Sequence, residues 1–326
     1  MSVARRDEER LGLRSSTSGG DRVFQGVMLF FTALIVVAAI LLVASLVKQA
    51  WPALQNIGLK ALTSTTWQPT SDKPLFGALS FIYGTVVTSI IAIILATVIG
   101  VMVAVFLVEL APPLVARPVS FLVEMLAAVP SIIFGFFGVF VLIPLLLPVE
   151  QWLNATLGFI PIFGGPVYTG HNLLTTGIVL AIMILPTIAA LSRDVMAAVP
   201  GSQREGMLAL GATKWETVRH VVIPYARAGI VGAIILALGR ATGETMAATM
   251  IIGNAPIIHA SLLQPGYSIT AVLASEANEA FATPIYIGAL FELGLILLLI
   301  SVLLNVAARL LVWRVHRGGG ATTVRG

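Results

Sequence analysis

The chain has no cysteine among its 326 residues, which excludes disulfides, thiolate nucleophiles and cysteine-ligated metals. Its four histidines, His171, His220, His259 and His316, are scattered without metal-ligand spacing, and neither metal nor redox chemistry is expected. No G-x-x-x-x-G-K-[S/T] phosphate loop occurs, so the chain is not expected to hydrolyse ATP by itself. Charge is also scarce. Only 10% of residues are charged against 58% hydrophobic, and that leaves too little polar surface to cover a globule in water. The composition is that of an integral membrane protein.

Apolar runs of about twenty residues give six expected spans, at 24–47, 78–108, 119–147, 173–199, 224–253 and 284–312. Ahead of them, 1–23 carries Arg5, Arg6, Arg10, Arg14 and Arg22 among Ser and Gly, a composition expected to remain a disordered basic tail. The first span is too long for the core of a signal peptide and is read as a retained anchor. The organisation that follows is a tail at 1–23, a first span with an external segment at 24–77, a transmembrane core at 78–313 and a second tail at 314–326.

Lys and Arg set the orientation, because cytoplasmic loops hold the positive excess. With six spans, the amino-terminal tail, Arg117, the group Arg193, Arg204, Lys214, Arg219 and Arg227, and the tail residues Arg309, Arg314, Arg317 and Arg325 all fall on one side. The other side receives Lys48, Lys60 and Lys73, and the loops at 148–172 and 254–283 contain no Lys or Arg. Both termini are therefore expected in the cytoplasm. The net charge of +4 is read as a topology signal and not as a nucleic-acid footprint; membrane lipid is the expected surrounding. Trp51, Trp67 and Trp152 sit where indoles anchor at the headgroup level or meet an external partner. The sequon Asn154-Ala-Thr156 is too common a triplet to carry weight.

The apolar pattern breaks at PGSQREGMLALGATKWETVRHVVIP, residues 200–224. Ser202 and Glu205 have capping-box spacing, and Thr213 and Glu216 repeat it. Gly211 between them suits the left-handed residue that closes one helix, and Pro224 suits the start of the fifth span. Two short capped helices are expected. On the second, Lys214, Glu216, Arg219 and His220 surround Trp215, an aromatic in a polar rim, which fits a docking hot spot or an indole resting on the lipid interface.

The fifth span carries LGRATGETMA, residues 238–247. Arg240 cannot shed its charge in hydrocarbon and needs a counter-charge or water. In a continuous helix Glu244 lies one turn along the same face. At about 1.5 Å per residue, Glu244 is expected about 15 Å deep, Arg240 about 21 Å and Glu292 of the sixth span about 13 Å, close enough to meet in one layer around a pathway. Thr242, Thr245 and Thr249 add hydroxyls that serve either a pore or their own backbone, and Gly239 with Gly243 has the spacing of a helix-packing seam. Glu124 reads as a boundary carboxylate, and Pro130-Ser131 as a kink.

Glu205-Gly-Met-Leu-Ala-Leu-Gly211, followed by Ile223-Pro224, resembles the EAA loop of ABC importer permeases, with Gly206 and Met207 where that pattern has two alanines. The stretches 124–144, 237–254 and 291–297 further resemble the PstC-type permeases of phosphate-specific transporters. The resemblance implies an all-α, six-span, type I ABC importer permease in a prokaryotic plasma membrane, translocating inorganic phosphate. Its ATPase-docking residues would be Glu205, Gly211, Thr213, Lys214, Trp215 and Glu216, and its substrate pathway Arg240, Glu244, Thr245 and Glu292. The implied partners are a homologous PstA-like permease, a PstB-like ATPase dimer holding ATP and Mg, and a PstS-like phosphate-binding protein, with no cofactor in this chain. A permease for sulfate or molybdate, or an ion-coupled transporter or channel using the intramembrane carboxylates, stays open at this point.

Overall fold

The computed structural model describes residues 19–71, 73–167, 169–281 and 283–318. The expected basic tail up to residue 18, with Arg5, Arg6, Arg10 and Arg14, and the terminal Arg325 lie outside the described residues. The chain forms two compact units that divide at Gln49/Ala50. Helix α1, Gly19–Asn56, begins five residues before the expected boundary and takes in Arg22. It is followed by a hairpin of β1 (Trp67–Gln68) and β2 (Leu75–Phe76). Next come α2 (Leu79–Val105), α3 (Pro113–Ala127), α4 (Ser131–Phe137), α5 (Ile143–Leu157) and α6 (Leu173–Ala197). The rest is α7 (Gly201–Ala209), α8 (Lys214–Thr217), α9 (Ile223–Thr242), α10 (Met246–Ile251), α11 (Ile269–Ala280) and α12 (Pro284–Gly318). Wide turns at Phe106–Leu110, Gly138–Leu142 and Val218–Val222 extend α2, join α4 to α5 and join α8 to α9.

Six helical stretches among the described residues are long and apolar enough to cross a membrane. Hydrocarbon offers no partner for a free backbone N–H or C=O, which favours helix in each of these stretches. Two differ from the sequence reading. The expected third span at 119–147 is cut by Pro130, whose extended backbone (φ −59°, ψ 139°) ends α3 and lets the span start again at Ser131. It then runs on to Leu157, because Pro144 lies in the first turn of α5 and Pro148 is absorbed inside it. Glu124 consequently lies on α3, where it pairs with Arg193 of α6 at 2.9 Å. The expected fifth span at 224–253 starts earlier, at Lys214, and stops at Thr242.

Within the unit from Ala50 onward, α2 and α6 form the most extensive pairing. A Cβ at Gly177 would fall 2.5 Å from Ile91 Cγ2, and one at Gly100 3.0 Å from Ile188 Cγ2, so glycine sets how closely the two backbones approach. Three apolar clusters stack along these helices. The cluster at the hairpin end holds Phe76, Phe81, Tyr267, Ile269 and Leu293; the middle one holds Phe134, Ile184, Ala237, Ala241 and Ile251; the third holds Ala104, Met196, Val218, Val222 and Ala226. The 200–224 segment is attached to the third.

Glu276 of α11 ties the hairpin end together. Its carboxylate accepts from Trp67 Nε1 at 2.8 Å, from the Tyr286 hydroxyl at 2.5 Å and from the Tyr267 hydroxyl at 3.4 Å. Trp67 is thus packed edge-on against Phe76 and Phe81, not set at an interface, whereas Trp51 and Trp152 stay exposed. Asn154 of the sequon is engaged as well, its Nδ2 donating to Phe163 O and Gly165 O. Burial pushes the Tyr267 phenol up to about 12, so it remains a protonated donor at neutral pH. Glu276→Ala would strand these donors, at a cost of about 2 kcal/mol. Thermal unfolding of the purified protein in detergent should show a clear drop for Glu276→Ala and a smaller one for Glu276→Gln, which keeps an acceptor; an unchanged midpoint for Glu276→Ala would refute this role.

Candidate functional site

The 200–224 segment is built by local rules. Pro200 is extended (ψ 134°) and places Gly201 at the first helical position. The N-cap position of α7 therefore falls on Pro200, two residues before Ser202, and the expected Ser202–Glu205 capping box does not form: α7 has no side-chain cap. At the other end, Gly211 takes φ +84°. Its N–H donates to Leu208 O at 3.0 Å, and the Ala212 N–H donates to Met207 O at 3.2 Å, the paired bonds of a Schellman closure. Thr213 then opens α8 with a complete capping box. Thr213 N donates to Glu216 Oε2 at 2.7 Å, and Glu216 N donates to Thr213 Oγ1 at 3.3 Å.

Contrary to the expectation of a separate second helix, α8 continues through the wide turn at Val218–Val222 into α9, so the segment and the fifth span are mechanically continuous. The turn presents an apolar surface: Leu208 is 47%, Leu210 84% and Trp215 60% exposed. Beside them a cavity of about 420 Å³ is lined by Met207, Leu210, Gly211, Ala212, Glu216 and His220. Glu205 and Lys214 are exposed on the same segment. Contiguous exposed apolar area with a polar rim is the signature of an interaction site.

Arg204 anchors this surface to the spans, a role the sequence reading did not assign. Its guanidinium donates to Val199 O at 2.5 Å, just past the end of α6, and to Met196 O at 2.7 Å in its last turn. It also pairs with Glu109 Oε1, just beyond α2, at 3.0 Å. One side chain thus joins α7 to both members of the most extensive helix pair.

The second polar location is the interruption of the fifth span. Helix α9 ends at Thr242, and residues 243–245 are non-helical before α10 begins. The expected face-sharing of Arg240 and Glu244 is therefore lost: among the described residues Arg240 makes no ion pair or hydrogen bond, while the Glu244 carboxylate accepts from Ala247 N at 3.2 Å. The Glu244 carbonyl accepts from Thr270 Oγ1 of α11 at 2.6 Å. Thr242 and Thr249 bond their own backbone, at Gly239 O and Thr245 O, and Thr245 makes only a long bond to Gly243 O at 3.4 Å. Gly239 is not a packing seam among the described residues, since a Cβ there would meet nothing within 4 Å. Arg240 instead lines an open cavity of about 1040 Å³ between α6, α9 and α12. Glu292 is 5% exposed and makes no hydrogen bond or ion pair with a described residue. No such bond links it to Arg240 or Glu244, so the structure does not unite the three charges.

A further buried carboxylate escaped the sequence reading, which left it in a loop. Glu150 of α5 is 1% exposed and accepts from Asn172 Nδ2 at 2.8 Å and Thr175 Oγ1 at 2.6 Å. Asn172 in turn caps α6 by accepting from Thr175 N at 2.9 Å.

Residues 96–317 match the family described as binding-protein-dependent transport system inner membrane component. The chain belongs to this family. The phosphate transport system permease protein PstC of Mesorhizobium japonicum is 46% identical over 282 residues, 85% of each chain. The protein of the same name from Haemophilus influenzae is 40% identical over 304 residues, covering 92% of this chain and 95% of that one. An inward-facing structure of the MetNI methionine ABC transporter is similar with a TM-score of 0.53, covering 72% of this chain and 94% of that chain at 20% identity. The fold is thus that of a type I ABC importer permease, and the chain is a multi-pass transport component.

Removing the Arg204 donors should loosen the α6–α7 junction of this permease. Arg204→Gln is expected to speed amide hydrogen exchange across 196–206 by about tenfold, the equivalent of about 1.4 kcal/mol, with the hairpin end unchanged. Exchange at the wild-type rate would show that the clamp contributes nothing.

Proposed function

We propose that this chain is the permease subunit through which inorganic phosphate is imported into a prokaryotic cytoplasm, and that Arg240 contacts the anion in transit. The observation that carries the reading is an arginine without an acidic partner, set beside a helix break and facing an open cavity. Relatives named as phosphate transport permeases support the substrate. An always-charged guanidinium offers two parallel N–H donors to a phosphoryl group. Glu244, at the break, and Glu292 would keep the site from holding the anion too tightly, as conduction requires. Thr245 would add a hydroxyl.

In this reading both termini and the 200–224 segment lie in the cytoplasm. An ATPase dimer binding ATP and Mg docks on Glu205, Gly211, Thr213, Lys214, Trp215 and Glu216, and its motion reaches Arg240 through the unbroken run from α8 into α9. A second, homologous permease completes the pathway, and a phosphate-binding protein delivers substrate at the hairpin end. The chain itself carries no cofactor.

Labelled phosphate uptake into vesicles holding the assembled transporter, with and without ATP, tests the reading. Arg240→Gln should abolish uptake at normal assembly, and Arg240→Lys should retain little, because a lysine lacks the planar fork. If the role of Arg240 were only to balance Glu244, the double substitution Arg240→Gln with Glu244→Gln would restore transport; wild-type uptake by that double variant would overturn the substrate role.

The docking assignment has its own test. Gly211→Val forces a β-branched residue to φ +84°, at a cost of about 1–2 kcal/mol, and should misplace Leu210 and Trp215. Co-purifying ATPase and ATP-driven uptake should both fall severalfold while the permease still inserts. A normal complement of ATPase and normal uptake would remove the docking role from this turn.

A further inference from the structure

The cavity that Arg240 faces holds a second cation. Its wall on α12 includes Asn305 and Arg309, its wall on α9 includes Gly232, Gly239 and Arg240, and Thr187 of α6 also lines it. The lining contains two guanidinium groups and no carboxylate. Val302, Asn305, Val306 and Arg309 all line the cavity, at the i, i+3, i+4, i+7 spacing of one helix face. Helices α9 and α12 belong to consecutive spans and run in opposite directions. Arg309 therefore lies at the 200–224 end of the α12 wall, about 10 Å along the helix from Val302.

Two features keep this space open to a solute. A Cβ added at Gly232 or Gly239 would meet nothing within 4 Å, so no side chain fills the space beside these two glycines, which share the α9 wall with Ile235, Leu236 and Arg240. Arg309 makes no hydrogen bond or ion pair with a described residue. Asn305 donates one amide hydrogen to Ser301 O at 2.8 Å, which leaves its second N–H to donate elsewhere. Two like charges on one cavity repel each other, and Arg240, inside the fifth span, is costly there by itself. An anion between them reverses the sign of both terms.

We propose that Arg309 and Asn305 form a second oxyanion station, which receives the anion from Arg240 and passes it toward the 200–224 end. The inference rests on the phosphate-import reading given above and deepens it. A phosphoryl oxyanion is the chemistry the station recognises, and this is shared by free phosphate in transit and by a lipid headgroup. The proposal commits to free phosphate.

The chain has no cysteine, so Asn305→Cys gives it a single thiol, whose labelling can be counted on this chain by mass spectrometry. In the assembled transporter in phosphatidylcholine vesicles, that thiol should react about tenfold faster with an anionic sulfonate methanethiosulfonate than with its cationic trimethylammonium counterpart, relative to an exposed control thiol at Gln203→Cys. Adding Arg309→Gln should abolish most of the preference, and Arg309→Lys should keep it. Millimolar phosphate should slow the anionic reagent severalfold.

Equal reaction with both reagents, or a preference untouched by Arg309→Gln, would overturn the station. So would shielding of the thiol that appears only when anionic phosphatidylglycerol is included, which would make it a lipid site. If the preference follows Arg309 while sulfate protects and phosphate does not, the station stands and the phosphate reading fails.

Discussion

A backbone N–H or C=O left unpaired in hydrocarbon costs several kcal/mol, and this constraint decides where the chain is permitted to stop being a helix. It does so at residues 243–245, between α9 and α10, within the stretch that hydropathy reads as the fifth span. The neighbouring elements repair what the break exposes: the Glu244 carboxylate accepts from Ala247 N, and Thr270 Oγ1 of α11 donates to the Glu244 carbonyl. Glu244 is therefore occupied at the break and is not the ion-pair partner of Arg240. Irregular backbone at membrane depth is tolerated where it is buried in protein or lines a cavity, and here it adjoins the cavity of Arg240.

The same accounting governs the opposite end of the molecule. Helix α6 ends before the extended backbone at Pro200, and Arg204 donates to the Met196 and Val199 carbonyls at this end while pairing with Glu109. Gly211 and the Thr213–Glu216 box then finish one helix and start the next with their terminal groups paired. Because α8 runs into α9, displacement of this turn has two routes inward. One passes along α9 to Arg240, and the other passes through Arg204 to the α2–α6 pair.

The features legible in the sequence are those decided within a few residues. Hydropathy located six spans, Gly211 declared a left-handed turn, and Thr213 with Glu216 declared a cap, since each depends on neighbours along the chain. Ser202 and Glu205 have the same spacing as Thr213 and Glu216, yet Pro200 starts the helix early and removes Ser202 from the capping position. Helical spacing placed Glu244 beside Arg240 only on the assumption of an unbroken helix, and no local signal outweighed that assumption. Arg204 with Glu109, 95 residues apart, and Glu150 with Asn172, 22 apart, are products of tertiary packing. Glu150 was further hidden because the expected third span stopped at 147 and left it in a loop, whereas α5 carries Pro144 in its first turn and Pro148 inside and runs on to Leu157.

An arginine locked to a carboxylate would neutralise itself, and a passing anion would have to break that pair before binding. With Glu244 committed to the break, Arg240 reaches the cavity as a full positive charge. A helix that ends three residues before its continuation can change direction there, and the residues on either side belong to elements with different anchors: Ala237 and Ala241 pack in the middle cluster, and Glu244 bonds to α11. Movement of α9 driven from its far end would shift Arg240 relative to Glu244 while both remain attached to the fold. The strength of anion binding at Arg240 would then depend on the position of α9, and a change in that position is what motion of the 200–224 segment would supply.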